Sequence, residues 1–312
     1  MKYNHQPVLL NECIDYLNIK KDGIYIDGTL GRGGHSSAIH EKLNNKGKLI
    51  SIDRDKKAIK EVRKNFKNKK NIKMIHDNFI NIPKILDELD IKEVDGMLFD
   101  LGFSSPQIDN PKRGFSYQKE GPLDMRMNLD QNLSAKDIIN KYSKEELEEI
   151  LINYGEENWA ARIAEFIVEE RKKKAIETTT ELVEIIKAAI PKAVRRKGGH
   201  PARRTFQALR IETNNELKQL EEMIKKVVFN LKPGGRICII SFHSLEDRIV
   251  KNSFKYLNKK CICPPDFPIC ACDKKREVNI ITKSPIRATE KEVEENRRAR
   301  SAKLRVAERV KN

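Results

Sequence analysis

The sequence predicts an α/β protein whose mainly parallel sheet is interrupted by an all-α insertion. Three observations carry this. Short apolar strand patterns alternate with helix patterns over residues 23–100. From Asn110 to Leu209 the strand pattern stops and helix patterns follow one another. The strand pattern returns at Arg236–Phe242, behind the Pro233-Gly234-Gly235 turn. Strands separated by helices imply parallel pairing through right-handed crossovers. The expected domains are a discontinuous sheet domain, 1–109 with 213–312, and an inserted helical domain, 110–212.

Each element has its own warrant. Gly23–Asp27 (GIYID) is a short apolar run ending at an acid, and the Gly-rich stretch behind it leads into a helix over Ser36–Leu43. Lys48–Asp53 (KLISID) is a second strand. Asp55–Phe66 is helical, because Ala58, Ile59, Val62 and Phe66 recur at helical spacing. Ile72–His76 is a third strand, and Ile80–Leu89 a helix whose Pro83 suits a first turn. Val94–Asp100 (VDGMLFD) is a fourth strand. In the insertion, Ser134 with Asp137 and Ser143 with Glu146 resemble capping boxes, each opening a helix. Helices are expected over Asn158–Arg171, Thr180–Ile190 and Thr205–Leu231. Val278–Thr282 reads as a further strand. The tail from Thr289, with Arg297, Arg298, Arg300, Lys303, Arg305 and Arg309, reads as helical: either a solvated helix or an arm for nucleic acid.

Composition narrows the partners. Among 312 residues, 62 are Lys or Arg and 46 Asp or Glu, a formal net charge of +16. That excess points to a polyanion, although a Lys-, Asn- and Ile-rich composition produces the same charge on a merely solvated surface. No run approaches the roughly 18–20 apolar residues of a membrane span. The first residues hold only the short apolar run Val8–Leu10, so no secretory signal is expected. Six cysteines in such a chain suit a reducing cytoplasm.

The strongest chemical signal is Asp27-Gly28-Thr29-Leu30-Gly31-Arg32-Gly33-Gly34-His35, between an expected strand and an expected helix. Glycines let the backbone turn sharply and approach a ligand, and the helix start offers free N–H groups. Asp53 ends the second strand, where an acid hydrogen-bonds ribose hydroxyls. The G-x-G-x-x-G fingerprint fails, because Ser36 stands at its last position. A nucleoside cofactor without phosphate, S-adenosylmethionine, therefore fits better than a dinucleotide. A second signal is Asp100-Leu101-Gly102-Phe103-Ser104-Ser105-Pro106-Gln107, at the carboxyl end of the fourth strand, where open α/β sheets bind ligands. It resembles the Asp/Asn-Pro-Pro-aromatic loop of amino-methyltransferases, but has one proline and no aromatic behind it. A capped loop with no ligand is the plainer alternative.

Taken together, the chain resembles the bacterial small-subunit ribosomal RNA (cytosine-N4)-methyltransferase family. The stretches that carry the likeness are His5-Gln6-Pro7-Val8-Leu9, DGTLGRGGHS, Asp53-Arg54-Asp55, DLGFSSPQ, Arg113-Gly114-Phe115-Ser116, Pro122–Met127, Gly155-Glu156-Glu157, His200–Arg210, Ser241–Asp247 and Arg298–Arg305. The resemblance implies a Rossmann-like S-adenosylmethionine-dependent methyltransferase sheet with a helical insertion, acting on a cytidine of the decoding region. It also implies cofactor contacts at Gly33, Gly34, His35, Asp53, Phe79, Asp100 and Gln107. Phe79 by itself would read as a core aromatic.

The sulfonium methyl of that cofactor is already activated, so alignment with the target amine is the main task. Asp100 is the candidate for polar assistance. Ser104, Ser105, Pro106, Arg203, Arg204 and His243 are candidate substrate contacts, with local capping roles as the alternative for His243 and His200. Arg195, Arg196, Lys197 and the basic tail would hold phosphates. Cys261, Cys263, Cys270 and Cys272 form C-x-C-x6-C-x-C, in a loop that Pro264, Pro265 and Pro268 would stiffen. Because C-x-C is tighter than the usual zinc knuckle, reduced structural thiols are the first reading and a zinc site the second. Cys13 and Cys238 read as core. The expected partner is small-subunit ribosomal RNA and no membrane; the sequence leaves the oligomeric state open, a homodimer included. The rival classes are a non-catalytic RNA-binding or ribosome-assembly protein, and a DNA amino-methyltransferase.

Overall fold

The computed structural model describes residues 7–67, 69–196, 199–264 and 269–311. The expectations at His5, Gln6, Lys197, Pro265 and Pro268 lie outside the described residues. The chain divides into two compact units, one of residues 1–102 and 217–312 and one of residues 103–216.

The first unit is built on a seven-stranded sheet. Its strands are β1 (Ile24–Asp27), β2 (Lys48–Asp53), β3 (Ile72–His76), β4 (Val94–Asp100), β5 (Leu231–Ser241), β6 (Val278–Ile280) and β7 (Lys303–Arg309). Their spatial order is β3-β2-β1-β4-β5-β7-β6. The first five pair in parallel; β7 runs antiparallel to β5, and β6 antiparallel to β7. Strand order reverses between β1 and β4, which makes their carboxyl ends the switch point of a doubly wound sheet.

Helices cover both faces: α1 (Leu10–Leu17), α2 (Gly34–Lys42), α3 (Lys56–Arg63) and α4 (Ile82–Glu88) from the first segment. The period of two decides which strand residues meet which layer. On β5, Ile237 and Ile239 enter one buried cluster with Ile85, Leu86 and Ile224, while Cys238 and Ile240 enter another with Cys13, Leu17 and Ile39.

The second unit is helical: α5 (Ser105–Asp109), α6 (Ala135–Lys141), α7 (Lys144–Gly155), α8 (Ala160–Lys173), α9 (Thr179–Ala189), α10 (Lys192–Arg195) and α11 (Arg203–Asn214). Its core joins Ile138, Leu151, Ile163, Ile186, Phe206 and Leu209. The Ser134 and Ser143 capping boxes form as expected. The chain then continues through α12 (Glu216–Val227), α13 (Ser244–Leu257) and α14 (Glu290–Glu295).

Three element expectations need correction. The long helix over Thr205–Leu231 is two helices, because Asn215 takes the left-handed conformation (φ 50°) and ends α11; asparagine reaches that region at lower cost than most residues. The returning strand starts at Leu231, before the Pro-Gly-Gly turn: Gly234 (φ 80°) absorbs an irregularity and pairing resumes at Gly96 opposite Arg236. The basic tail is helical only in its first part: Glu290–Glu295 is α-helical and Arg297–Ser301 a 3-10 helix, whereas Lys303–Arg309 is a strand inside the sheet. Leu304 and Val306 alternate inward there, while Arg305 is buried against Asp247, with Nε 2.6 Å from Oδ1. Arg309 donates to the Glu277 carbonyl and stacks over Phe229. Arg305 and Arg309 are thus occupied within the fold, whereas Arg297 and Arg300 are exposed. No helix among the described residues is long and apolar enough to cross a membrane.

Candidate active site

The carboxyl ends of β1, β2 and β4 each finish in an acid: Asp27, Asp53 and Asp100. Side chains alternate along a strand, but a terminal residue sits where the next loop leaves, so three carboxylates face the turn region at the switch point.

Asp53 organises the Gly-rich loop. Its Oδ2 accepts the Gly31 N–H at 2.8 Å and its Oδ1 the Asp55 N–H at 2.8 Å. Each carboxylate oxygen has a second lone pair, so the group can still accept from two hydroxyls. Burial pushes its pKa up, against those two backbone donors. Gly31 (φ 50°) and Gly33 (φ 79°) hold the left-handed turns that an ordinary side chain resists. A Cβ on Gly33 would stand 2.6 Å from Val62 Cγ1, and one on Gly34 2.2 Å from Pro7 Cγ. Neither Gly33 nor Gly34 therefore has room for a side chain where the loop leads into α2.

His35 is buried in the first turn of α2. Its Nε2 lies 3.1 Å from the Val8 carbonyl, which can only accept, so the ring carries its proton there. Burial lowers its pKa to about 4, leaving it neutral. The other nitrogen, Nδ1, is 3.8 Å from Asp100 Oδ2. The Asp100 backbone N–H donates to Thr29 Oγ1 at 2.6 Å. Its Oδ1 is buried without a hydrogen-bond partner. Burial, then the nearby Asp27 and Glu246, raise the Asp100 pKa to about 8. Such a carboxyl is held in its neutral form at neutrality and becomes an anion once a cation faces it.

Asp27 belongs to the sequence motif without being one of the candidate site residues. It is fully enclosed, accepts from Ser36 Oγ at 2.6 Å and from the Thr29 N–H at 3.1 Å, and burial raises its pKa to about 6. The signal that could have found it is positional, since it ends β1 as Asp53 ends β2. Phe79 packs in the core, edge-on to Phe99 with centroids 6.0 Å apart and the Arg54 guanidinium 5.3 Å from its ring. His243 caps α13: its Nδ1 accepts the Glu246 N–H, and its Nε2 is 3.1 Å from Glu246 Oε1.

The remaining candidates belong to the helical unit. Gln107 is buried, and its Oε1 accepts the Ser104 N–H at 2.9 Å, closing the start of α5 with Pro106 in its first turn. Ser105 is buried beside them. Arg203 and Arg204 open α11 and are exposed; Arg204 Nη1 also donates to the Glu156 carbonyl at 2.9 Å. His200 stacks on Tyr117 with centroids 4.5 Å apart, and its Nδ1 accepts the Ala202 N–H. Cys13 and Cys238 are buried, and burial raises both thiols well above their ordinary pKa. Cys261, Cys263, Cys270 and Cys272 gather in one cluster of free thiols.

A doubly wound sheet with a glycine-rich loop and acids at the carboxyl ends of its strands is the arrangement in which open α/β enzymes bind nucleotide-like ligands. The chain belongs to the MraW methylase family, whose sequence model matches residues 2–310. It is 62% identical over 308 residues to Ribosomal RNA small subunit methyltransferase H of Halothermothrix orenii, covering 99% of each chain. Proteins of the same name from Clostridium botulinum (strain Kyoto) and Clostridioides difficile are 56% and 54% identical, over 99% of this chain and 100% of theirs. The protein is accordingly a methyltransferase, with S-adenosylmethionine as its cofactor. The donor set fits that cofactor: Asp53 retains lone pairs for a ribose diol, and the orphaned Asp100 oxygen suits a cationic group.

Proposed function

We propose that the protein transfers a methyl group to the exocyclic N4 amine of a cytidine in small-subunit ribosomal RNA, in the cytoplasm. The observation that carries this reading is the 62% identity, across 99% of both chains, to a ribosomal RNA small subunit methyltransferase.

S-adenosylmethionine supplies a methyl group on a sulfonium centre, activated before it meets the protein. Asp53 would hold the ribose diol through its remaining lone pairs. Asp100, neutral while nothing faces it, would ionise opposite the cofactor's positive charge and help to hold it. His35, neutral and fixed through Nε2 to Val8, adds no competing positive charge. The cytosine amine is a weak nucleophile, because its lone pair is delocalised into the ring. Acceptors of the Asp100–Gln107 segment draw on its hydrogens and favour the pyramidal form. Transfer would break the methyl–sulfur bond as the N–C bond forms, leaving the electron pair on sulfur, and the proton of the then-cationic amine would pass to solvent, so no strong base is required. Arg203, Arg204, Arg195 and Arg196 supply phosphate contacts.

The choice of N4 over carbon 5 rests on residues 100–107, which hold no cysteine, and on the burial of Cys13 and Cys238, while the search for a cysteine-linked adduct covers the cluster at 261–272. Methylation at carbon 5 needs a cysteine thiolate that adds to carbon 6. Cys13 and Cys238 are buried, with pKa values raised against thiolate formation. The test is incubation of unmodified small subunits with labelled cofactor, followed by mass spectrometry of digested RNA against N4-methylcytidine and 5-methylcytidine standards. N4-methylcytidine is expected. Recovery of 5-methylcytidine, or of a cysteine-linked enzyme–RNA adduct, overturns the assignment. Binding of cofactor and RNA with no transfer would favour the assembly-protein reading.

A further inference from the structure

The cysteine cluster takes no part in the chemistry above. Cys261 and Cys263 follow α13, and Cys270 and Cys272 precede β6. Their four sulfurs lie within 4.8 Å of one another. Cys261 Sγ is 3.3 Å from Cys270 Sγ, and Cys272 Sγ is 3.6 Å from each of those two. A disulfide requires about 2.05 Å, so none of these pairs is bonded. Four sulfurs, each about 2.3 Å from a tetrahedral zinc ion, would stand about 3.8 Å apart. The observed spacings reach that figure by shifts of tenths of an ångström at the close pairs.

Three further features point the same way. Backbone N–H groups are aimed at sulfur: Ile262 at Cys272 (3.4 Å), Cys263 at Cys261 (3.3 Å) and Ala271 at Cys263 (3.3 Å). Donation to sulfur favours the thiolate, the form that ligates metal. Lys259, Lys260, Lys275 and Arg276 lie beside the cluster in sequence, and positive charge nearby favours thiolates. Finally, among the described residues the stretch between α13 and β6 has no helix or strand, and its Ile262 and Ile269 are 47% and 78% exposed. A segment that turns its large apolar side chains outward has no core of its own to order it, which is the situation in which small folds use a metal.

We propose that Cys261, Cys263, Cys270 and Cys272 form a tetrathiolate zinc site that orders the segment between α13 and β6. Sulfur donors select zinc over hard cations. Four protein ligands leave no open position, so the ion is structural. On binding, each cysteine that arrives as a thiol gives its proton to solvent as its Zn–S bond forms. The proposal is independent of the RNA target, because metal binding is read without any methyl transfer.

The test uses the full chain. The protein as purified, after dialysis, is expected to hold one equivalent of zinc by elemental mass spectrometry. The reduced, metal-free chain loaded with Co2+ should show the intense visible bands and sulfur-to-cobalt charge transfer of a tetrahedral tetrathiolate site, and Zn2+ should displace them. Cys261→Ser and Cys272→Ser, each alone, should lose that spectrum. Proteolysis within residues 258–277 should be several-fold faster without metal. A reduced chain that gives no tetrathiolate spectrum overturns the site. So does a spectrum unchanged in both variants. Proteolysis that ignores metal overturns the ordering role.

Discussion

Asp53 and Asp100 are two carboxyls with opposite preparations. Asp53 is already tied by two backbone donors, and in the proposed role it lends its remaining lone pairs to the cofactor. Hydrogen bonds to a charged group contribute about 1.5–3 kcal/mol. Asp53→Ala is therefore expected to lower cofactor affinity about ten-fold or more, as measured by calorimetry, with the circular dichroism spectrum retained. Unchanged affinity would remove the ribose assignment. Asp100 makes a pH prediction. Its carboxyl ionises near 3.8 when unfolded and near 8 in the ligand-free fold. Between those values the folded chain holds a proton that the unfolded chain has lost, so this group's contribution falls as pH rises and levels off above about 8. Asp100→Asn cannot ionise. Its melting temperature should rise relative to the parent between pH 4 and 8 and keep that advantage above. A constant difference across the range would show that Asp100 is charged without ligand.

The strand β7 shows how one buried charge fixes an element. Burial works against the Asp247 charge, but the Arg305 guanidinium and Lys303 outweigh it and hold its carboxyl below the ordinary range. Arg305 Nε meets Oδ1 at 2.6 Å, Arg305 Nη2 meets Oδ2 at 3.3 Å, and Lys303 Nζ meets Oδ2 at 3.2 Å. Removing one partner of a buried pair leaves an uncompensated charge and costs about 3–5 kcal/mol. Asp247→Ala should lower stability by that order in urea unfolding, whereas Asp15→Ala, on exposed α1 surface, should change little. Equal effects would reduce the pair to a surface contact. The same pair explains why the residues of β7 read as a helix in sequence. Leu304 and Val306 alternate as a strand should, but the intervening Arg305 belongs to the inside, and its charge disguises the pattern.

Charge is the property of the chain taken whole. An excess of +16 says that a polyanion is attracted but not where. Folding engages part of it: Arg305, Arg210 and Arg236 pair with Asp247, Glu216 and Glu308, and Arg309 donates to the Glu277 backbone carbonyl. Arg203 and Arg204 stay exposed at the start of α11. Arg203→Ala with Arg204→Ala should weaken RNA binding and flatten its salt dependence, by about 0.7–0.9 in log–log slope for each phosphate that is no longer neutralised. Cofactor affinity should be unaffected. A double variant with the parent's slope would show that this pair is only structural.

The alternation of strand and helix, the glycine-rich loop and the acids at strand ends are legible in residue order, because periodicity and glycine placement act over a few neighbours. So are the capping boxes at Ser134 and Ser143, whose partners lie three residues away. Asp27 is legible only as a letter in a motif. Its enclosure by Ser36, and its pressure on Asp100, need β1 and β4 side by side. The tautomer of His35 depends on Val8, 27 positions earlier, and its neutrality on burial. The pairing of Arg305 with Asp247, 58 positions apart, likewise arises from packing. Local spacing thus determines which elements form and which chemistry they can carry. Burial and long-range neighbours set the protonation of that chemistry, since both are fixed only when distant segments exclude water together.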